Sequence, residues 1–82
     1  MWMSDILIVV NRNNADHNTF PDIVAAVRDT GASVIVTDEE LFTIEANAPA
    51  GAVATITAME GVSYVRCLFS YLCEEPTPVQ AA

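Results

Sequence analysis

Ser33-Val34-Ile35-Val36-Thr37-Asp38-Glu39-Glu40-Leu41-Phe42-Thr43-Ile44-Glu45-Ala46-Asn47 joins two extended runs through an acidic corner. The first run is β-branched, and branching at Cβ favours a pleated strand. After the corner, Phe42, Ile44 and Ala46 alternate with Thr43, Glu45 and Asn47. A period of two sends alternate side chains to opposite faces, so the segment is expected to be a hairpin whose return strand has a core face and a water face.

Upstream of the hairpin, Asp5 to Asn11 opens on the aliphatic run Ile6 to Val10, the pattern of a strand in the middle of a sheet. An asparagine-rich connection follows from Asn11 to Asn18. Phe20, Ile23, Val24 and Val27 then recur at helical spacing, with Thr19 as the expected N-cap, Pro21 and Asp22 in the first turn and Gly31 at C′. Downstream, Pro49 and Gly51 punctuate the chain. Val53, Ile56 and Met59 mark a short second helix ending at Gly61, and its threonines make it weak in isolation. Val62 to Cys73 is a long extended segment with apolar residues on both faces, closed by Glu74-Glu75-Pro76-Thr77-Pro78.

The order strand, helix, strand, strand, helix, strand with right-handed crossovers predicts an α+β, ferredoxin-like β-α-β-β-α-β sandwich: a four-stranded antiparallel sheet with two helices on one face. Residues 1–75 are expected to form this single domain and 76–82 a disordered C-terminal tail.

Composition narrows the function classes. Eleven acidic side chains against three arginines and no lysine give a net charge of −8. That balance repels phosphate backbones and anionic lipid, so neither nucleic acid nor membrane is an expected partner. The longest apolar run, Ile6 to Val10, is five residues, below the ~20 of a membrane span and the roughly 7–15 of a secretory signal core. A reducing, cytoplasmic location is expected. Cys67 and Cys73 lie roughly 20 Å apart along an extended segment and cannot pair without breaking it. A domain of this size needs a well-filled core or association, and a homodimer would supply the latter.

Catalytic chemistry has little to work with. His17 is the sole histidine, and neither Asp16 and Asp22 nearby nor the distant cysteines complete a four-ligand zinc set. No spacing links His17 to a nucleophile. Asp38, Glu39 and Glu40 suit a solvated turn better than an acid/base pair. The Asn11 to Asn18 loop, with Arg12 offset by Asp16 and Asp22, is expected to be a solvated connection. No enzyme activity, cofactor or metal is therefore expected.

The run Leu41-Phe42-Thr43-Ile44-Glu45-Ala46, a small-residue link, a short helix ending Met59-Glu60-Gly61 and the close Val62-Ser63-Tyr64-Val65 resemble the subtilisin propeptide family and its free-standing relatives of the proteinase B inhibitor type. The likeness covers Asp5 to about Val65 in element order, with Gly61, Val62, Tyr64 and Val65 carrying the motif. It implies a domain whose sheet packs on surface helices of a subtilisin-like serine protease while the C-terminal segment fills the substrate cleft by strand addition. By that resemblance Tyr71, Leu72, Cys73 and Glu74 are the partner-binding residues. The chain departs from the family in having Arg66, Cys67 and Leu68 where acidic residues usually follow the last valine. With neither a secretory signal nor a protease domain, the expectation is a stand-alone inhibitor or interaction module. The other reading is a small ACT-like regulatory or ligand-binding domain acting as a dimer. Absent a partner, Tyr64, Leu68, Tyr71 and Leu72 are expected to pack in the core or a dimer interface.

Overall fold

The computed structural model describes residues 2–11 and 19–72. Six elements follow in order: β1 (Trp2–Val10), α1 (Phe20–Asp29), β2 (Ser33–Asp38), β3 (Thr43–Pro49), α2 (Ala50–Thr57) and β4 (Val62–Leu72). The four strands form one antiparallel sheet in the order β2-β3-β1-β4. This is an α+β architecture, and the element order matches the sequence expectation.

The aliphatic run of β1 occupies the interior of the sheet because it has a strand on each side. Ile6, Ile8 and Val10 are buried, as are Ile44, Ala46 and Ala48 of β3. Ile8 lies opposite Ile44 and Ile6 opposite Ala46, and directly opposed residues share a face of the sheet. Phe20, Val24 and Val27 of α1 and Ala52 and Ile56 of α2 join the same cluster. Both helices therefore cover one face, and among the described residues no element covers the opposite face. Leu7, Val9, Thr43, Glu45 and Asn47 on that face are only half-buried.

Several local details depart from the sequence expectations. Strand β1 begins at Trp2 rather than Asp5, with Trp2 paired to Leu72. Thr19 does precede α1, but its backbone is helical (φ −93°, ψ −18°) and its side chain makes no cap bond. A capping hydroxyl needs an extended backbone at that position. Pro49 is the N-cap of α2 and Gly51 lies inside the helix, so Gly51 does not punctuate the chain. Within α2, the Thr55 and Thr57 hydroxyls donate to the carbonyls of Gly51 and Val53, a back-bonding that accommodates threonine in a helix. The buried α2 residues are Ala52 and Ile56, while Val53 and Met59 pack at the margin.

Gly31 has φ +96° and its N–H donates to the Arg28 carbonyl at 3.0 Å, the expected C′ closure of α1. Gly61 is not a second such glycine. Helix α2 is capped earlier, at Ala58, and Gly61 (φ +91°) is the third residue of the turn closed by Val62 N–H on Met59 O at 3.2 Å. Only glycine takes that sign of φ without strain.

The hairpin corner is more ordered than a solvated charge run. One carboxylate oxygen of Asp38 accepts the backbone N–H groups of Glu40 and Leu41, at 3.0 and 3.1 Å, the Asx device that turns a chain. Phe42 belongs to this turn, with φ 54°. A left-handed backbone costs a non-glycine residue roughly 1–2 kcal/mol. Here the ring is buried against Phe20, with centroids 5.7 Å apart, and the carbonyl accepts Val10 N–H at 2.8 Å.

The glycines should respond with opposite signs. Gly51→Ala, in open space inside a helix, should stabilise the domain by up to about 1 kcal/mol in urea denaturation. Gly61→Ala should destabilise it by about 1–2 kcal/mol, because the backbone is left-handed and a Cβ there meets Ile23 Cδ1 at 3.1 Å.

Candidate functional site

Strand β4 is 11 residues long, and among the described residues its one sheet neighbour is β1. No other described strand pairs with its outer edge. Among the described residues, its side chains account for four of the large hydrophobics left in solvent: Tyr64 and Leu68 at 52% exposure, Phe69 and Leu72 at 61%. Helix α2 packs against β4 as well as β1 and β3, and Val62 and Val65 join the core margin there, but α2 is only 8 residues long. An 11-residue strand at the rim outruns that cover. Of the two settings expected for Tyr64, Leu68 and Leu72, core or dimer interface, the core is excluded by their exposure in the single chain.

Register assigns the faces. Tyr64, Arg66, Phe69 and Tyr71 lie opposite Val9, Leu7, Asp5 and Met3, so all four stand on the uncovered face. Val65, Cys67, Ser70 and Leu72 lie opposite Ile8, Ile6, Ser4 and Trp2 on the helix side. The register shifts between Asp5 and Ile6, where Leu68 is the extra residue of a β-bulge. A bulge adds one residue to one strand and so resets which side chains share a face. Arg66 and Phe69 are three apart, an odd spacing that a regular strand would send to opposite faces.

A polar link crosses three strands on the uncovered face. Asn47 of β3 donates through Nδ2 to Asp5 Oδ1 of β1 and to the Tyr71 hydroxyl of β4, both at 2.8 Å. The Tyr71 ring stacks on Phe69, with centroids 5.7 Å apart and planes at 29°. On the helix side the hydroxyls of Ser4 and Ser70 meet at 2.9 Å. The lower half of β4 is thereby held in the sheet by side chains as well as backbone.

Of the residues expected to bind a partner, Tyr71 is half-buried inside β4 and Leu72 is its exposed last residue. Cys73 and Glu74 lie outside the described residues, as do the tail 76–82 and residues 12–18, which include Arg12, Asp16 and His17. Phe69 and Trp2 also belong to the exposed apolar surface. Nothing in the sequence marked the bulge that puts Arg66 on the same face as Phe69 and Tyr71. Cys67 is exposed and unpaired to any disulfide.

Elsewhere, an open hollow of about 280 Å³ lies between α1 and the turn before β4, lined by Asp22, Ile23, Ala26, Met59 and Gly61 among others. It sits just below the usual ~300–1,000 Å³ of small-molecule sites. Among the described residues no three His, Cys, Asp or Glu side chains gather as a metal site. No described helix is long and apolar enough to cross a membrane. No family model, curated protein or solved structure matches this chain.

Tyr71→Phe removes one of the two acceptors of Asn47 Nδ2 while keeping the ring stack. It should lower stability by about 0.5–1.5 kcal/mol in urea denaturation, whereas Tyr71→Ala should cost more.

Proposed function

We propose that this chain is a non-catalytic protein-interaction domain on a ferredoxin-like frame, acting as a stand-alone inhibitor of a subtilisin-like serine protease. The ferredoxin-like assignment is supported by the element order β-α-β-β-α-β and by an antiparallel sheet ordered β2-β3-β1-β4 with one core cluster on a single face. The fold hosts many activities, so function rests on the surface.

The observation that carries the reading is the concentration of exposed apolar side chains on β4, the strand that leads directly into the C-terminal segment. Large exposed apolar groups clustered on one element suit a protein partner better than solvent. The uncovered sheet face beside them offers a broad platform with Leu7 and Val9 at its middle and the carboxylates of Asp5 and Glu45 around them. Carboxylates on such a platform favour the N-terminal ends of helices on a docked protein. Strand β4 is itself extended up to Leu72, and strand addition in a cleft uses an extended segment. The non-catalytic assignment is supported by composition, with one histidine and no lysine in the whole chain.

Titration of a subtilisin-like protease with the full chain should give stoichiometric inhibition, and removal of residues 74–82 should abolish it. Inhibition unchanged by that truncation would refute a cleft-bound tail. No inhibition at equimolar full chain would refute the inhibitor reading altogether.

A further inference from the structure

We propose that the outer edge of β4 pairs antiparallel with β4 of a second copy of this chain, about a two-fold axis through the Cys67–Leu68 peptide. The inference rests on the reading of β4 as a recognition element and names a partner for its edge, leaving the sheet face available to another protein.

The bulge at Leu68 makes the strand self-complementary. Above it, Tyr64 and Arg66 stand on the uncovered face; below it, Phe69 and Tyr71 stand on the same face. An antiparallel register centred on the bulge sets Arg66 opposite the partner's Phe69 and Tyr64 opposite the partner's Tyr71. On the helix side it sets Val65 opposite the partner's Ser70, and at the dyad Cys67 meets the partner's bulge residue, Leu68. Each pair formed between 64–66 and 69–71 shares a face, and the pairing is the same seen from either copy, as an isologous interface requires. In a strand without the extra residue, Tyr64 and Tyr71 would point to opposite faces and the match would fail.

Bulges often blunt a sheet edge against pairing. Here the dyad brings the irregularities of the two copies together, so that the regular stretches 64–66 and 69–71 oppose each other undisturbed. The second edge of the sheet is a poorer candidate, since β2 is 6 residues long and ends at Asp38.

Charge supports the same occupant. A net charge of −8 makes two copies repel, yet β4 carries no carboxylate and one cation, Arg66. The register places that guanidinium against the partner's Phe69 ring, a cation–π arrangement. The two arginines are then offset by three positions along the strands, roughly 10 Å. The exposed rings of Tyr64 and Phe69 and the Leu68 side chain lose water in the same step.

Sedimentation velocity on the full chain, up to roughly 100 μM, a range that populates even low-end interfaces, should show a dimer. Arg66→Glu and Phe69→Lys should each weaken it about tenfold or more, the first by setting carboxylates on rings and the second by opposing like charges. An equimolar mixture of these two variants should restore the dimer, because each heterodimer combines one Glu–Lys pair with one Arg–Phe pair. Leu68→Lys, at an exposed position on the dyad, should give a monomer with an unchanged thermal melt, which separates loss of pairing from loss of fold. A chain monomeric throughout, a dimer indifferent to all three substitutions, or a mixture that stays monomeric would each overturn the pairing. A monomer that still inhibits the protease defeats only the pairing, whereas a dimer that does not inhibit defeats only the protease reading.

Discussion

One-sided burial is the constraint from which the rest of this molecule follows. Ile6, Ile8 and Val10 of the inner strand meet Ile44, Ala46 and Ala48 of its neighbour, and two short helices close over them with Phe20, Val24, Val27, Ala52 and Ile56. That cluster removes the largest contiguous apolar surface from water, and it does so on one face only. Among the described residues no further element packs on the other face. What lies outside the cluster is therefore exposed by geometry, and it includes most of β4.

The uncovered face is not left as a bare apolar plate. Asn47 bridges Asp5 and Tyr71 across three strands, so that the polar atoms there are mutually satisfied while rings and aliphatic side chains stand between them. Such a mixture keeps a domain dispersed in water and still offers area to a partner of complementary shape. Strand β4 has less of this protection. Its lone charge is Arg66, and no other described strand pairs with its outer edge. An apolar edge of this length is a template for another strand, and the recognition roles argued for it use that one property in different directions.

Element order was legible because alternation and helical spacing are local. Thr43 to Asn47 displays its two faces in single letters, and Phe20, Val24 and Val27 display a stripe. Glycine was legible as a marker of positive φ but not of its setting: Gly31 closes a helix, whereas Gly61 shapes a turn three residues beyond one. Phe42 shows the same limit from the other side. Its place in the alternation correctly foretold burial, yet it is reached through a left-handed turn residue held by Phe20 rather than through the strand. The candidate surface was half legible, since the apolar letters of β4 were plain but their exposure was not.

By itself, then, the sequence determined the kind and order of the elements, the core face of each strand in the hairpin, and an acidic chain with scant means for proton transfer. Those properties depend on neighbours a few positions apart and on composition. The tertiary structure alone decided that β4 lies at the rim, that α2 is too short to cover it, and that a bulge at Leu68 brings Arg66, Phe69 and Tyr71 onto one face. These are outcomes of register and layer coverage, set by which strands pair and how far the helices reach, and no local pattern encodes them.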